Sequence, residues 1–330
     1  NCKSFIPGAK YEIFDWLNGQ DELIDKIKES EIVIVDSYLA PWDLYKKISL
    51  SSTYAIFIDD NMRLDYPEGA VLNGSVNAEQ MGYESRRGVT YFLGPKYIPL
   101  RKEFWQAREK LIKSEIESVL ITFGGQDLEN LTPRILRFLV RNQPELTKKV
   151  IVGSGFKNLD LILEVMDPKT EIFRSPSAAE MARIMYESDI AISAAGQTIY
   201  ELARVGVPTI AISVADNQKN NLTGWIKEKF LSAEFSNDTV NLENRLLVVF
   251  NLYNERETRV NLSAIGRKKV DGLGARRTVQ SAIEQLINKN GGCYLRKALE
   301  SDSMNVFNLS NERSVRINSI NQDQIQWQDH

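Results

Sequence analysis

The chain has 330 residues, 43% of them hydrophobic, with 41 basic and 44 acidic side chains and a formal net charge of −3. That length and apolar content allow more than one domain with a sizeable core, and the near balance of charge excludes a broad electrostatic footprint for nucleic acid. No apolar stretch approaches the roughly 18 residues of a membrane span and the N-terminus lacks the basic and apolar regions of a signal peptide, so the expectation is a cytoplasmic protein.

In chain order, the amphipathic stretch from Asp21 to Ser30 predicts a helix, and Glu31-Ile-Val-Ile-Val-Asp36 a buried strand ending in a carboxylate. Tyr54 to Asp60, Ala70 to Asn73 and Thr90 to Gly94 predict three more short strands. Helices alternating with apolar strands imply a parallel sheet, so the fold class is α/β. Gly94-Pro95-Lys96-Tyr97-Ile98-Pro99 marks a boundary, because proline disfavours helix before it, and the composition of Leu100 to Lys113 predicts a helix after it. A second α/β series follows. Ser118 to Phe123 predicts a strand running into Gly124-Gly125-Gln126-Asp127, then a helix from Thr132 to Arg141, a strand from Lys149 to Gly153 and a helix from Asn158. The strand Thr170 to Phe173 precedes Ser177, an N-cap for the helix Ala178 to Tyr186. Helices fill the remainder to about Asn290, Gly291-Gly292 is a hinge candidate, and a segment rich in Asn, Ser, Gln and Arg closes the chain.

The chemistry collects at strand ends. The run Ser193-Ala-Ala-Gly-Gln-Thr-Ile-Tyr-Glu201 reads as the end of a buried strand turning into a helix. Gly196 in that turn lets backbone N–H groups near Ala195, Gln197 and Thr198 approach a phosphate at the helix N-terminus. Glu201, about one turn inside, is a carboxylate that can accept both hydroxyls of a ribose. Gly206-Val207-Pro208 stops the helix, and the strand Thr209 to Ser213 carries Asp216, Asn217 and Gln218 at its far end. Two neighbouring strand ends thereby offer polar groups to one crevice, where open α/β sheets bind ligands. Gly124 and Gly125 either leave N–H groups open to a pyrophosphate or simply turn the chain, and Gln126 and Asp127 either contact the ligand or cap the next helix. Asp36, Tyr38, Asp59, Asp60, Asn73 and Asn77 sit at or just past strand ends in the first series, as cleft residues or as solvated loop residues and caps. Asp59 and Asp60 invite an acid/base reading, but adjacent strand residues point opposite ways, so one of them, with preference for Asp60, faces a reaction centre.

Cys2, Cys293 and a single histidine, His330, cannot build a recognisable zinc site or a catalytic triad in the body of the chain, so no metal and no cofactor is expected.

Taken together these residues resemble the UDP-2,4-diacetamido-2,4,6-trideoxy-β-L-altropyranose hydrolases of pseudaminic acid biosynthesis and the related spore-coat polysaccharide proteins. The resemblance rests on Asp36-Ser37-Tyr38, Phe57 to Asp60, Leu72 to Asn77, Gly94 to Phe104, Phe123 to Asp127, Ser193 to Glu201 and Asp216-Asn217-Gln218. More distantly, the second half is similar to the N-acetylglucosaminyltransferase that makes lipid II.

The resemblance implies a GT-B-like architecture of two Rossmann-like domains with parallel sheets, the N-terminal one incomplete. It implies a partial sugar-binding domain over 1–95 and a UDP-binding domain over 96–290. Glu201 would meet the ribose, Gly124, Gly125 and the Gly196 turn the pyrophosphate, and Asn217 and Gln218 the phosphate or sugar. The implied reaction is attack of water at the anomeric carbon with UDP leaving. Members carry a G-x-G-H motif whose histidine is their presumed catalytic residue, and no such motif occurs between Asn1 and His330. This reads as an N-terminal truncation and leaves Asp60 and Asn217 as candidates at the reaction centre. Residues 291–330, through Leu295-Arg296, Asp302, Val306 to Asn308 and Ile325 to His330, resemble the opening of a GNAT-type acetyltransferase domain that would use acetyl-CoA. A UDP-sugar glycosyltransferase and a non-catalytic UDP-sugar-binding protein are the alternatives.

Overall fold

The computed structural model describes residues 10, 12–215, 218–231, 235–236, 241–289, 302–313, 315 and 326. Residues 1–283 form one compact unit and residues 284–330 a second.

The first unit contains two parallel sheets. The first is built from β1 (Ile32–Asp36), β2 (Tyr54–Ile58), β3 (Gly69–Asn73) and β4 (Val89–Leu93), paired in that spatial order. Helices α1 (Gln20–Ile27) and α2 (Trp42–Ser51) cover one of its faces. The alternation of strand side chains explains that core: Val33 and Val35 on β1, Ala55 and Phe57 on β2 and Val71 on β3 pack with Leu44, Tyr45 and Ile48 of α2. Tyr45 meets Phe57 and Tyr66 edge-on, with centroids 5.2 Å apart in both cases, and Phe57 stacks on Tyr66 at 5.5 Å. Such aromatic pairs add roughly 0.5–1.5 kcal/mol each beyond area burial.

The second sheet follows β5 (Ser118–Thr122), α3 (Leu131–Asn142), β6 (Thr147–Val152), α4 (Leu159–Leu163), β7 (Thr170–Arg174), α5 (Ala178–Glu187), β8 (Ile190–Ala194), α6 (Thr198–Val205), β9 (Thr209–Ser213), α7 (Lys219–Lys227) and β10 (Phe235–Ser236). Its spatial order is β10-β9-β8-β5-β6-β7, all parallel. Every residue of β5, β8 and β9 is buried, because helices cover both faces. Successive side chains serve opposite cores: Val119, Ile121, Ile190 and Ile192 face α3 and the later helix α8 (Leu242–Asn254), whereas Leu120 and Ala191 face α5 and α6. Ser177 begins α5 with a full capping box to Glu180, and Gly206, at φ +87°, ends α6. Helices α9 (Arg256–Lys269) and α10 (Gly274–Lys289) follow, and α11 (Ser303–Asn311) lies in the second unit.

The chain reverses direction across the second sheet at β5. From there β6 and β7 extend one way, while β8, β9 and β10 lie on the other side. The C-terminal ends of β5 and β8 therefore flank a topological switch point, the place where such sheets bind ligands.

The two sheet lobes share core. Val76 from the first lobe and Ile98, Leu100 and Phe104 from the connecting segment pack in one cluster with α5, α6 and α7. Gly224 of α7 is pressed against the first lobe, so that a Cβ there would stand 2.5 Å from Val76 Cγ1.

The helix expected over Leu100 to Lys113 does not form; only a short 3-10 turn, Lys102–Phe104, occurs in it. Its side chains are spent on the second lobe instead. Arg101 reaches Glu201, and Lys110 Nζ donates to the carbonyls of Met185 and Tyr186 at 3.4 and 2.8 Å. Tertiary contacts override the helical composition. Gly291, Gly292, Leu295 and Arg296 lie outside the described residues. Among the described residues no helix is long and apolar enough to cross a membrane.

Candidate functional site

A cleft of about 440 Å³ opens between the C-terminal ends of β1, β2 and β3 and the β8–α6 turn. Asp36, Tyr38, Asp60 and Asn77 border it on the first lobe, and Ala195, Gly196, Gln197 and Gln218 on the second. With Asp59, which also lines it, nine sequence-predicted residues are thus brought together from distant parts of the chain. Ile98 and Pro99 of the connecting segment lie between the two walls.

The neighbouring carboxylates Asp59 and Asp60 divide the work. Asp59 is 7% exposed and fully engaged: Oδ1 accepts the backbone N–H groups of Asp60, Asn61 and Arg63 at 2.9, 3.3 and 3.4 Å. Its Oδ2 accepts the Tyr83 hydroxyl at 2.7 Å, and Asn73 Nδ2 donates to that same hydroxyl at 2.9 Å. Asp59 therefore lines the cleft with its carboxylate already engaged, and Asn73 supports it from outside the lining. Asp60 instead accepts a hydrogen bond from the Tyr38 hydroxyl within the cleft. Burial, aided by Asp60, pushes the Tyr38 phenol above its ordinary value and keeps it a donor. Arg63 ties the loops together, donating to Ala40 O at 3.2 Å and to Ser37 O and Tyr45 Oη at 3.1 and 3.0 Å.

On the second lobe, Gln218 Oε1 accepts the Val214 N–H at 3.1 Å, and Gln197 Nε2 donates to Pro99 O at 3.1 Å. A Cβ added to Gly196 would meet nothing nearer than Gln218 Nε2 at 3.6 Å. The glycine keeps the mouth of α6 uncovered.

Other predicted residues lie elsewhere. Gly124, Gly125 and Gln126 are exposed at the end of β5, beside the switch point but outside the cleft lining. Asp127 is a cap: its Oδ1 accepts Leu131 N–H at 2.9 Å and its Oδ2 Thr132 N–H at 2.6 Å. Thr198 opens α6 without lining the cleft. Glu201 is buried, with both carboxylate oxygens held by Arg101 at 2.7 Å. Asp216 and Asn217 lie outside the described residues.

Three residues that sequence reasoning left without a role are built into the site. Tyr200 and Asn221 line the cleft and are hydrogen-bonded to each other, and Arg101 holds Glu201. Tyr200 and Arg101 fall inside motifs already noticed and Asn221 three residues past Gln218, but nothing in their spacing announces a partner. Among the described residues no group of histidine, cysteine, aspartate and glutamate side chains is placed to hold a metal.

Residues 118–224 match the family model of the glycosyltransferase family 28 C-terminal domain. Over 221 residues the chain is 25% identical to an uncharacterised protein of Methanocaldococcus jannaschii, covering 63% of this chain and 46% of that one. Over 271 residues it is 24% identical to the spore coat polysaccharide biosynthesis protein SpsG of Bacillus subtilis, covering 79% and 80% respectively. Over 222 residues it is 29% identical to the pseudaminic acid cytidylyltransferase and UDP-2,4-diacetamido-2,4,6-trideoxy-β-L-altropyranose hydrolase of Helicobacter pylori, covering 65% and 40%. The chain thus spans less than half the length of the archaeal and Helicobacter relatives. Among solved structures it is similar to MurG of Acinetobacter baumannii, with 15% identity, TM-score 0.56 and coverage of 84% and 82%. It is likewise similar to Staphylococcus aureus MnaA bound to UDP, with 11% identity, TM-score 0.58 and coverage of 86% and 83%. With its two parallel sheets facing one cleft, the chain has a GT-B-like fold of two Rossmann-like lobes.

Proposed function

We propose that this chain binds a UDP-sugar, with the nucleotide on residues 96–290 and the sugar against residues 1–95. The observation that carries this reading is the switch point itself. The Gly196 and Gly124-Gly125 turns flank it, and across the cleft from the uncovered Gly196 turn the first lobe presents Asp60 and Tyr38. Gly125 adds support: its backbone is not left-handed and a Cβ there would meet nothing within 4 Å, so neither conformation nor packing calls for glycine. The open space leaves room for close approach of a ligand.

The proposed reaction is hydrolysis of a UDP-2,4-diacetamido-trideoxy sugar. Water adds to the anomeric carbon, the bond from that carbon to the phosphate oxygen breaks, and UDP leaves with the bonding pair. N–H groups at the mouth of α6 stabilise the departing diphosphate, while Asp60, with Asn217 beside the phosphate, orients water and takes its proton. The resembling hydrolases are implied to use a histidine of a G-x-G-H motif, which these 330 residues do not contain. Turnover by this chain is therefore expected to fall below that of a chain carrying the motif by about 10²–10⁴-fold, the usual worth of a general base.

A second reading, transfer of the sugar to an acceptor, is favoured by the match to a glycosyltransferase C-terminal domain. Calorimetry with UDP, followed by incubation with the UDP-sugar in the presence and absence of added motif-bearing sequence, separates the readings. Free sugar without an acceptor supports hydrolysis, and product only with an acceptor supports transfer. Absence of UDP binding at millimolar concentration would overturn both.

A further inference from the structure

One face of α6 is fastened to the segment joining the sheets. Gln197 donates to Pro99 O at 3.1 Å, and Arg204 donates from Nε to Phe104 O and from Nη2 to Trp105 O, each at 2.9 Å. Between these contacts Arg101 meets Glu201 as a fork, Nε to Oε1 and Nη2 to Oε2, both at 2.7 Å. The pair is asymmetric: the Glu201 side chain is 6% exposed and that of Arg101 is 44% exposed.

A carboxylate offers about four lone-pair sites, and a bidentate guanidinium takes one on each oxygen. One site per oxygen remains, enough for two more donors side by side. Two neighbouring O–H groups on one ligand, a vicinal diol, meet that requirement. Glu201 also follows the cleft-lining Gln197 by about one helical turn, on the same face of α6.

Resting on the reading that Glu201 receives the ribose, we propose that Arg101 is the positioning residue of a nucleoside subsite: its fork fixes the plane of the Glu201 carboxylate and thereby selects nucleotides that carry both ribose hydroxyls. Burial pushes Glu201 above the ordinary carboxylate value, and nearby Glu103 pushes the same way, so Arg101 is the group that opposes both. Lysine in its place would keep the charge but not the two parallel donors.

The test is calorimetry of UDP and its 2′,3′-dideoxy analogue on wild type, Arg101→Lys, Arg101→Gln and Glu201→Gln. Wild type is expected to prefer UDP by roughly 10–100-fold, the span of one hydrogen bond to a charged group. Arg101→Gln and Glu201→Gln should erase the preference while leaving affinity for the dideoxy analogue within about threefold, and Arg101→Lys should fall between. Preference retained in Arg101→Gln but lost in Glu201→Gln would overturn the role of Arg101 and spare that of Glu201. No preference in wild type, or full preference in Glu201→Gln, would overturn the ribose reading itself. Tighter UDP binding by Arg101→Gln would make Arg101 an obstacle and defeat the proposal. Should Arg101→Gln not fold, full preference in Arg101→Lys defeats it equally.

Discussion

The hydroxyl of Tyr200, on the second lobe, accepts the backbone N–H of Val76, on the first, at 2.9 Å. The same hydroxyl donates to Asn221 Oδ1 at 2.5 Å, and Asn221 Nδ2 donates to Ala195 O at 2.7 Å. The width of the cleft is thereby linked to the turn proposed to hold phosphate. Tyr200→Phe leaves a buried amide without its acceptor and is expected to cost about 1–3 kcal/mol, read as a lower urea midpoint with an unchanged slope. Unchanged stability would show that the Val76 amide finds another partner.

Asp59 and Asp60 should separate experimentally. Asp59→Ala strips the acceptor from three backbone N–H groups and from Tyr83, so a loss of at least roughly 1.5–3 kcal/mol is expected from thermal or urea unfolding. Asp60→Asn should keep the fold and UDP affinity but lower the rate of sugar release in a protein competent for turnover. Equal stability losses in both variants would remove the division of labour between these neighbours.

At Gly125 fold and ligand make opposite demands. With nothing within 4 Å of an added methyl, Gly125→Ala should change stability by no more than about 0.5 kcal/mol, as for surface positions, while weakening UDP measurably by calorimetry. A variant that binds UDP as well as wild type would assign Gly125 to the turn alone.

Burial lowers the Lys110 ammonium from its ordinary 10.5 to about 8. A lysine depressed in the folded state resists charging, so the unfolded chain binds more protons between those two values and stability should rise with pH across that window. Below the lower value both states are charged and the contribution is flat. Lys110→Met should abolish this component of the rise, measured by urea melts between pH 7 and 10.5. A wild-type minus mutant difference that does not change with pH would contradict it.

The strands were legible because parallel strands buried on both faces are unbroken apolar runs, as in Ile190-Ala191-Ile192 and Thr209 to Ile212. The cleft residues were legible for a related reason: strand order decides which loops meet, and polar residues at strand ends such as Asp36, Asp60 and Gln218 follow from it. Leu100 to Lys113 misled, since its composition favours helix while Arg101 and Lys110 form hydrogen bonds that no local pattern encodes. The burial of Asn73 and Asp59 was hidden likewise, because Tyr83 completes that network from a different loop.

The fastening of residues 99–105 to α6 is one of several ties on the connecting segment. Lys96 O is held by Arg277 at 2.7 Å, and Gly274 lies so close to Ile98 that a Cβ there would stand 2.2 Å from its carbonyl oxygen. The same segment is pressed against the first lobe as well: a Cβ on Gly74 would stand 2.6 Å from Ile98 Cα, and Tyr97 lies 5.3 Å from Phe92, centroid to centroid. Gly94 immediately precedes it, with φ +89°, a left-handed conformation that glycine adopts without strain, and Pro95 stiffens what comes next. The turn at Gly94 therefore starts a strut, Pro95 to Trp105, that is pinned to both lobes and fixes one against the other.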